Sequence, residues 1–146
     1  LTQGYFKDHH NSENLWRGGF LHTGDVANLD ETGYFKITDR AKDVIKIAGE
    51  WVSSLEVEDI LVQHDSVSEV AVIGMPDDKW GERPLALVVA GETTPVEKEL
   101  VAFLKGFVDS GRLTRHALML KVLVVDEIAK TSVGKIDKKL LRHKHL

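Results

Sequence analysis

A short loop near the end of the sequence places one lysine after a run of small residues. The loop reads Thr131-Ser132-Val133-Gly134-Lys135 and comes directly before a segment with helical periodicity. A lysine ammonium on a glycine-containing loop can bring a point charge to a phosphate without a deep pocket. The loop is not a P-loop, because the first glycine and the Lys-Ser or Lys-Thr ending are both missing. Taken alone, the loop favours an ordinary solvent-exposed lysine.

Two polar segments in the first third of the chain could contact a nucleotide. Thr23-Gly24-Asp25 ends an extended run in a glycine turn that exposes one carboxylate, and such a carboxylate can accept hydrogen bonds from both ribose hydroxyls. In the charged cluster Asp39-Arg40-Ala41-Lys42-Asp43, Arg40 can contact a ribose or a phosphate, and the segment can act as a hinge. The simpler explanation for Asp25 is a turn residue that accepts hydrogen bonds from nearby backbone amides, and the simpler explanation for residues 39–43 is a solvated connector.

A third candidate is Gly49-Glu50-Trp51, which follows an extended run carrying Lys46. Glycine lets the backbone approach a ligand closely, and tryptophan can line a narrow channel. A tryptophan in a core or an interface is the commoner explanation for any single tryptophan.

Composition excludes several classes of protein. The 146 residues, 42% hydrophobic and 29% charged, suit one ordinary domain, or a small domain with a piece of another, and not a disordered chain. The absence of cysteine excludes disulfide scaffolds, thiol nucleophiles and cysteine-bound zinc. The histidines show no spacing typical of metal ligands, apart from His143 and His145 in the tail, so we predict no metal site.

Charge and hydropathy limit the partners. The net charge is −4, and the basic segment from Lys130 to Lys144 has no interleaved aromatic residues, so nucleic acid is not a predicted partner. The longest apolar run, Leu85 to Ala90, is too short to span a membrane, and the start of the chain lacks the apolar stretch of a signal peptide. We therefore expect a cytoplasmic protein. Because the chain does not begin with methionine, we also predict a fragment.

The elements that must position these residues change in character along the chain. Extended runs at residues 19–22 and 34–38 flank Asp30-Glu31-Thr32-Gly33, a turn-forming cluster that predicts a hairpin. The residues before Asp39 carry no helical periodicity. Two more extended runs, at residues 43–47 and 50–52, are separated at Gly49.

Helices and strands alternate after Val52. Ser53 and Glu56 have capping-box spacing and predict a helix over residues 54–63. β-branched, alternating residues predict strands over 67–75 and 83–90, with a loop between them. Thr94-Pro95 followed by Glu97 predicts the start of the next helix. A strand over 120–125 and a helix over 136–142 complete an α+β fold, with a short hairpin and a three-stranded sheet packed with helices.

Read together, these motifs resemble the C-terminal part of the adenylate-forming acyl-CoA synthetases, the superfamily that includes luciferases. Five segments match in order and spacing: Gly18 to Asp25, Gly33-Tyr34-Phe35, Asp39 to Lys46, Leu55 to Glu58, and Thr131 to Lys135. Residues 49–54 and 79–84 look most like the medium- to long-chain fatty-acid members. The resemblance implies a β-rich tail of a large AMP-binding domain over 1–38, a hinge over 39–43 and a mobile cap domain over 44–146.

The resemblance also implies a reaction in two steps. A carboxylate and ATP give an acyl-adenylate and pyrophosphate, and the CoA thiol then displaces AMP. Magnesium is implied by the use of ATP, with no ligand in this chain. The phosphate loop and the acyl pocket belong to the missing N-terminal domain, so we expect this chain alone to be inactive.

Roles for single residues follow from the same resemblance. Asp25, with Thr23 beside it, and Arg40 would contact ATP or AMP. Asp39 and Lys42 would form the hinge. Lys135 would act in adenylation and Lys46 in thioester formation, while Gly49, Glu50 and Trp51 would line the CoA tunnel.

Two alternatives remain open at this point. One keeps the adenylate chemistry but transfers the acyl group to another acceptor, such as a carrier-protein thiol. The other is a free-standing binding module without catalysis.

Overall fold

The computed structural model describes residues 2–146 and divides the chain into two compact units. The first unit ends at Lys42 and the second spans Asp43–Leu146, so the boundary falls inside the segment predicted as a hinge.

The first unit begins with a helix that the sequence pattern did not indicate. Helix α1 (His9–Leu15) is followed by a short 3-10 turn at Arg17–Gly19. Asp8 caps the helix, because its Oδ1 accepts a hydrogen bond from the backbone N–H of Asn11 at 3.1 Å. The prediction of no helix before Asp39 was therefore wrong. None of the helix residues is buried, so no apolar stripe marks it in the sequence.

The hairpin of the first unit has a different first strand from the one predicted. Strand β1 (Asp25–Leu29) pairs antiparallel with β2 (Phe35–Arg40), whereas the sequence placed the first strand at residues 19–22. The turn decides the pairing. Asp30 Oδ1 accepts hydrogen bonds from Thr32 N and Tyr34 N, both at 2.9 Å, and closes the chain immediately after β1. A strand at 19–22 would need a much longer loop, and short connections are favoured in hairpins.

One face of this hairpin is apolar and exposed. The Cα partners Leu29 and Phe35, and Ala27 and Ile37, alternate in register and therefore lie on the same face. Leu29, Phe35 and Ile37 are 73%, 72% and 53% exposed. Strands usually turn such residues toward a core, and the described residues of the first unit bury only Asp39.

The second unit contains one sheet of five strands. They are β3 (Ile45–Ile47), β4 (Glu50–Val52), β5 (Val67–Asp77), β6 (Gly81–Ala90) and β7 (Lys121–Val124). The order is β4-β3-β6-β5, and β7 pairs with β6 in parallel while the other pairs are antiparallel. The short hairpin of the second unit, formed by β3 and β4, is thus joined to the predicted three-stranded sheet of β5, β6 and β7 through the pairing of Ile47 with Gly81.

Helices cover both faces of this sheet. They are α2 (Ser54–Leu61), α3 (Glu97–Asp109) and α4 (Lys138–His145), with a 3-10 segment at Arg115–Met119. Val70 and Val72 of β5 lie in one buried cluster with residues of α2 and α3, and Ala71 and Ile73 lie in a second cluster with Leu141 of α4. Alternate residues of one strand therefore support two cores, as expected for period-2 side chains. The α+β class is confirmed.

Helix α2 has the predicted N-cap, but α3 does not. Ser53 Oγ accepts the N–H of Glu56 at 3.2 Å. Helix α3 begins at Glu97 rather than at Pro95 and has no side-chain cap. The Glu97 carboxylate instead accepts from Val122 N at 3.0 Å and from Lys121 Nζ at 3.1 Å, which ties α3 to β7.

Candidate functional site

The three residues predicted to contact a nucleotide lie together in the first unit. Asp25 and Arg40 are Cα partners at the open end of the β1–β2 hairpin. Arg40 Nε lies 3.0 Å from Asp25 Oδ1, and the Asp25 N–H donates to Thr23 Oγ1 at 3.3 Å. Arg40 is more than half exposed and Asp25 about one fifth exposed. The cluster therefore offers a carboxylate and a guanidinium to solvent side by side.

The two predicted hinge residues differ in environment. Asp39 is buried, and its Oδ1 accepts the N–H of Arg40 at 2.7 Å. Lys42 is exposed and is the last residue of the first unit. Asp43 follows as a mostly buried residue whose Oδ1 lies 2.6 Å from Arg142 Nη2. The first residue of the second unit, Asp43, is therefore fixed to α4 by its contact with Arg142.

Lys46 lies at the centre of β3 on the face that points away from the neighbouring core. Ile45 and Ile47 on either side are fully buried, whereas Lys46 is exposed. Its Cα partner on β4 is Trp51, which is 55% exposed. Cross-strand partners project from the same face of a sheet. The hairpin therefore presents an ammonium and an indole together.

A tight turn connects these strands. Ala48 and Gly49 have φ angles of 50° and 86°. Positive φ at both central residues defines the type I′ turn that matches the twist of a two-residue hairpin. Ala48 N donates to Trp80 O at 2.9 Å, which fixes the turn against the β5–β6 connection.

Two side chains that the sequence did not suggest hold this hairpin. Glu82 Oε2 accepts the N–H of Lys46 at 2.7 Å. His116 Nδ1 lies 2.9 Å from Glu50 Oε2, which links the 3-10 segment to β4. Both contacts join residues more than thirty positions apart, and no periodic pattern marks them. Glu82 lies within residues 79–84, which resemble the fatty-acid members of the family, and this likeness is the sequence signal that could have drawn attention to it.

Lys135 ends a hydrogen-bonded loop and is separated from α4 by Ile136 and Asp137. Thr131 N donates to Lys135 O at 2.7 Å, Gly134 N donates to Thr131 O at 2.9 Å, and Lys135 N donates to Thr131 Oγ1 at 3.2 Å. The loop is closed by a bridge between Lys130 and Ile136. Lys135 is exposed. The backbone is ordered by its own hydrogen bonds while the ammonium is left accessible.

Within residues 2–146, no group of three or more histidine, aspartate or glutamate side chains has a geometry that could hold a metal ion. In the same residues, no helix has the length and apolar character needed to span a membrane.

The family model for the AMP-binding enzyme C-terminal domain matches residues 56–135, from α2 to the lysine loop. The chain belongs to this family. The match ends at Lys135 and does not include Thr23, Asp25, Arg40 or Lys46.

Relatives extend the similarity over nearly the whole chain. A 3-methylmercaptopropionyl-CoA ligase of Ruegeria pomeroyi is 44% identical over 85% of this chain and 22% of its own length. A long-chain-fatty-acid–CoA ligase of Thermus thermophilus is 40% identical over 99% of this chain and 26% of its own. The solved structure of o-succinylbenzoate CoA synthetase from Bacillus subtilis, in complex with its acyl-adenylate intermediate, is 31% identical over 95% of this chain and 28% of its own, with a TM-score of 0.82.

These comparisons confirm the family resemblance read from the sequence. They also show that the chain spans about a quarter of the length of the curated relatives it matches.

Proposed function

We propose that this chain is the C-terminal portion of an acyl-CoA synthetase, which converts a carboxylic acid, ATP and CoA into acyl-CoA, AMP and pyrophosphate through an acyl-adenylate. The observation that carries the proposal is Lys135, an accessible ammonium on a self-bonded loop at the end of the segment that matches the family model. The proposed location is the cytoplasm. Magnesium would accompany ATP, and we assign it no ligand in this chain.

Lys135 stabilises the first step by its charge. A carboxylate must approach the α-phosphate, which is itself an anion, and negative charge concentrates there in the transition state. A preplaced ammonium lowers that barrier, and single donors of this kind are worth roughly 10²–10³ in rate. The hydrogen bonds of the loop preorganise the Lys135 backbone, so little reorganisation is needed when substrate binds.

Asp25 and Arg40 hold the nucleotide in the same proposal. The Asp25 carboxylate accepts hydrogen bonds from the ribose hydroxyls, because an ionised carboxylate has lone pairs left after it contacts Arg40 Nε. Arg40 retains further N–H donors for the ribose or the phosphate. Thr23 orders the turn, since its hydroxyl accepts the Asp25 N–H.

The hairpin of β3 and β4 serves the thioester step. Lys46 and Trp51 project from one face, and the backbone at Gly49 has no side chain to obstruct a narrow ligand such as pantetheine. We propose that rotation about Asp39 and Lys42 exchanges Lys135 for this hairpin between the two half-reactions. A few residues can absorb such a change in φ and ψ.

The rest of the enzyme would cover the apolar face of the first unit. The side chains of Leu29, Phe35 and Ile37 lie exposed on one face of the β1–β2 hairpin. An exposed apolar face of this kind marks an interaction surface. We propose that the large N-terminal domain packs on it and supplies the phosphate loop and the acyl pocket, so that the chain alone is inactive.

For the acyl group we propose a medium- or long-chain fatty acid. The support is the likeness of residues 49–54 and 79–84 to fatty-acid members, together with the Thermus relative, whose name gives long-chain fatty acids as its substrates. A panel of acids of increasing chain length, offered to the full-length enzyme, tests this part separately.

The decisive experiment compares Lys135→Ala with Lys139→Ala in the full-length enzyme. Lys139 is also exposed and lies on α4, so it controls for the loss of a nearby charge. We expect Lys135→Ala to lower ATP–pyrophosphate exchange by roughly 10²-fold or more, and Lys139→Ala to leave it unchanged. Thioester formation from preformed acyl-adenylate and CoA should survive in both variants.

Three outcomes would contradict the proposal. Unchanged exchange in Lys135→Ala would remove Lys135 from the reaction. Exchange by the 146-residue chain alone would contradict the need for a large domain. Transfer to a carrier-protein thiol with no transfer to CoA would keep the adenylate step but replace the acceptor.

A further inference from the structure

A buried ion pair joins the first residue of α4 to α2. Lys138 Nζ lies 2.8 Å from Glu58 Oε1 and donates a hydrogen bond to Ser54 Oγ at 2.7 Å. The Lys138 and Glu58 side chains are 9% and 10% exposed, and Ser54 is fully buried. The same Glu58 oxygen accepts the N–H of Val72 on β5 at 2.7 Å. Charged groups are seldom buried unless they are paired in this way.

Helix α4 is short. It is eight residues long, and Leu141 and Lys138 are its buried residues. Helices of this length are not stable in isolation, so the position of α4 depends on its tertiary contacts. Arg142, paired with Asp43, provides a second polar contact near the other end of the helix.

Lys138 is three residues beyond Lys135, and the intervening residues are also fixed. Ile136 packs against the second core cluster. Asp137 N donates to Ala129 O at 2.8 Å, and Asp137 Oδ1 caps α4 by accepting the N–H of Leu140. A displacement of the first turn of α4 would therefore reach the lysine loop through a short, well-packed connection.

We propose that Lys138 is a positioning residue for Lys135: its buried pair with Glu58 fixes the first turn of α4 and thereby the C-terminal end of the Thr131–Lys135 loop. The inference rests on the proposed role of Lys135 in adenylation. Lys138 does not touch the reacting atoms. It acts by holding the ammonium of Lys135 where a misplacement of about 1 Å can cost roughly 10²-fold in rate.

The main competing explanation is that the pair contributes to stability alone. The two explanations differ in what happens to the half-reactions. A loss of folded protein lowers adenylation and thioester formation by the same factor. A displaced Lys135 loop lowers adenylation and leaves the thioester step intact, because that step is assigned to Lys46 and the β3–β4 hairpin.

The test uses Lys138→Met in the full-length enzyme, with Lys130→Met as the matched control. Lys130 flanks the same loop and pairs with Glu69 on β5, but this pair is much less buried, with side chains 47% and 32% exposed. We expect Lys138→Met to lower ATP–pyrophosphate exchange by about tenfold or more while thioester formation stays within about twofold. Lys130→Met should match the unmodified enzyme in both half-reactions, because exposed pairs contribute little.

Two further variants keep the test informative if Lys138→Met fails to fold. Lys138→Arg keeps the charge and should restore part of the adenylation rate. Glu58→Asp keeps the carboxylate but shortens it, and should give the same split between half-reactions with a smaller loss. In the 146-residue chain, amide exchange at Gly134 and Lys135 should accelerate in these variants relative to the amides of β6.

The result that would overturn the proposal is an equal loss in both half-reactions, or a Lys138→Met enzyme that behaves like Lys130→Met. Lys135→Ala, measured in parallel, separates this failure from a failure of the proposed function. If Lys135→Ala leaves exchange unchanged, the assignment of Lys135 itself is wrong. If Lys135→Ala loses exchange and Lys138→Met does not, only the positioning role is wrong.

Discussion

Lys46 and Lys135 are both exposed lysines of the second unit, but they are held in different ways. Lys46 belongs to a strand, and its position follows from backbone pairing between β3 and β4. Lys135 lies in a loop that is closed by its own hydrogen bonds, and Lys138, three residues later, forms a buried pair with Glu58, eighty positions earlier. Strand pairing and the Glu82 contact to its N–H hold Lys46, whereas the role proposed for Lys138 makes Lys135 depend on a buried ion pair.

The largest expected effect tests whether the two lysines act in different half-reactions. Lys46→Ala in the full-length enzyme should lower thioester formation from preformed acyl-adenylate by about 10–10²-fold, because one positive charge is removed from the site of that step. ATP–pyrophosphate exchange should remain close to that of the unmodified enzyme. Measured beside Lys135→Ala, the two variants should affect opposite half-reactions. A common loss in the same half-reaction would contradict the separate assignment of the two lysines.

An intermediate effect is expected at the helix caps that follow the two lysines. Asp137→Ala removes the cap of α4 and Ser53→Ala removes that of α2, and each should lower the free energy of unfolding by about 1 kcal/mol in denaturant titrations of the chain. Amide exchange should accelerate around Lys135 in Asp137→Ala but not in Ser53→Ala. Asp137→Asn retains a capping oxygen and controls for the lost charge. If amide exchange around Lys135 accelerated equally in Asp137→Ala and Ser53→Ala, the cap of α4 would have no specific effect on the lysine loop.

The smallest effect concerns the turn after Lys46. Ala48 has a φ of 50°, a conformation that costs an L-residue about 1–2 kcal/mol and glycine very little. Part of the gain from Ala48→Gly is lost to the greater freedom of glycine in the unfolded chain, so we expect stabilisation of about 0.5–1 kcal/mol. Gly49→Ala, at a φ of 86°, should instead be destabilising. A loss of stability in Ala48→Gly, measured by denaturant unfolding, would contradict this account of the turn.

The same contrast explains how much the sequence could predict. Helix α2 begins one residue after Ser53, as the capping box predicts, and β5 and β6 include the predicted strand residues because β-branched alternation is a local signal. The roles of Lys135 and Lys46 come from the resemblance and stay predictions; the structure shows that Thr23, Asp25 and Arg40, which the motifs assigned to one nucleotide, are neighbours.

The errors and omissions have a common cause. Helix α1 was missed because it has no buried face, and the first strand of the hairpin was misplaced because Asp30 closes the turn by side-chain hydrogen bonds. The Glu58–Lys138 pair could not be predicted, since both residues have the charge expected of an exposed helix face. Which charged residues are buried depends on how α2, α4 and β5 meet, and that is a property of the tertiary structure.

The buried Glu58 carboxylate has a consequence for association between chains. Strand β5 is eleven residues long, rich in β-branched residues and at the end of the sheet order. An edge strand of this kind normally offers its free N–H groups to a strand from another molecule. At the middle of β5 the N–H of Val72 is already bonded to Glu58, and Glu69 nearer its start is paired with Lys130. The Glu58 carboxylate that pairs with Lys138 therefore also occupies an N–H group at the middle of β5 that an added strand would need.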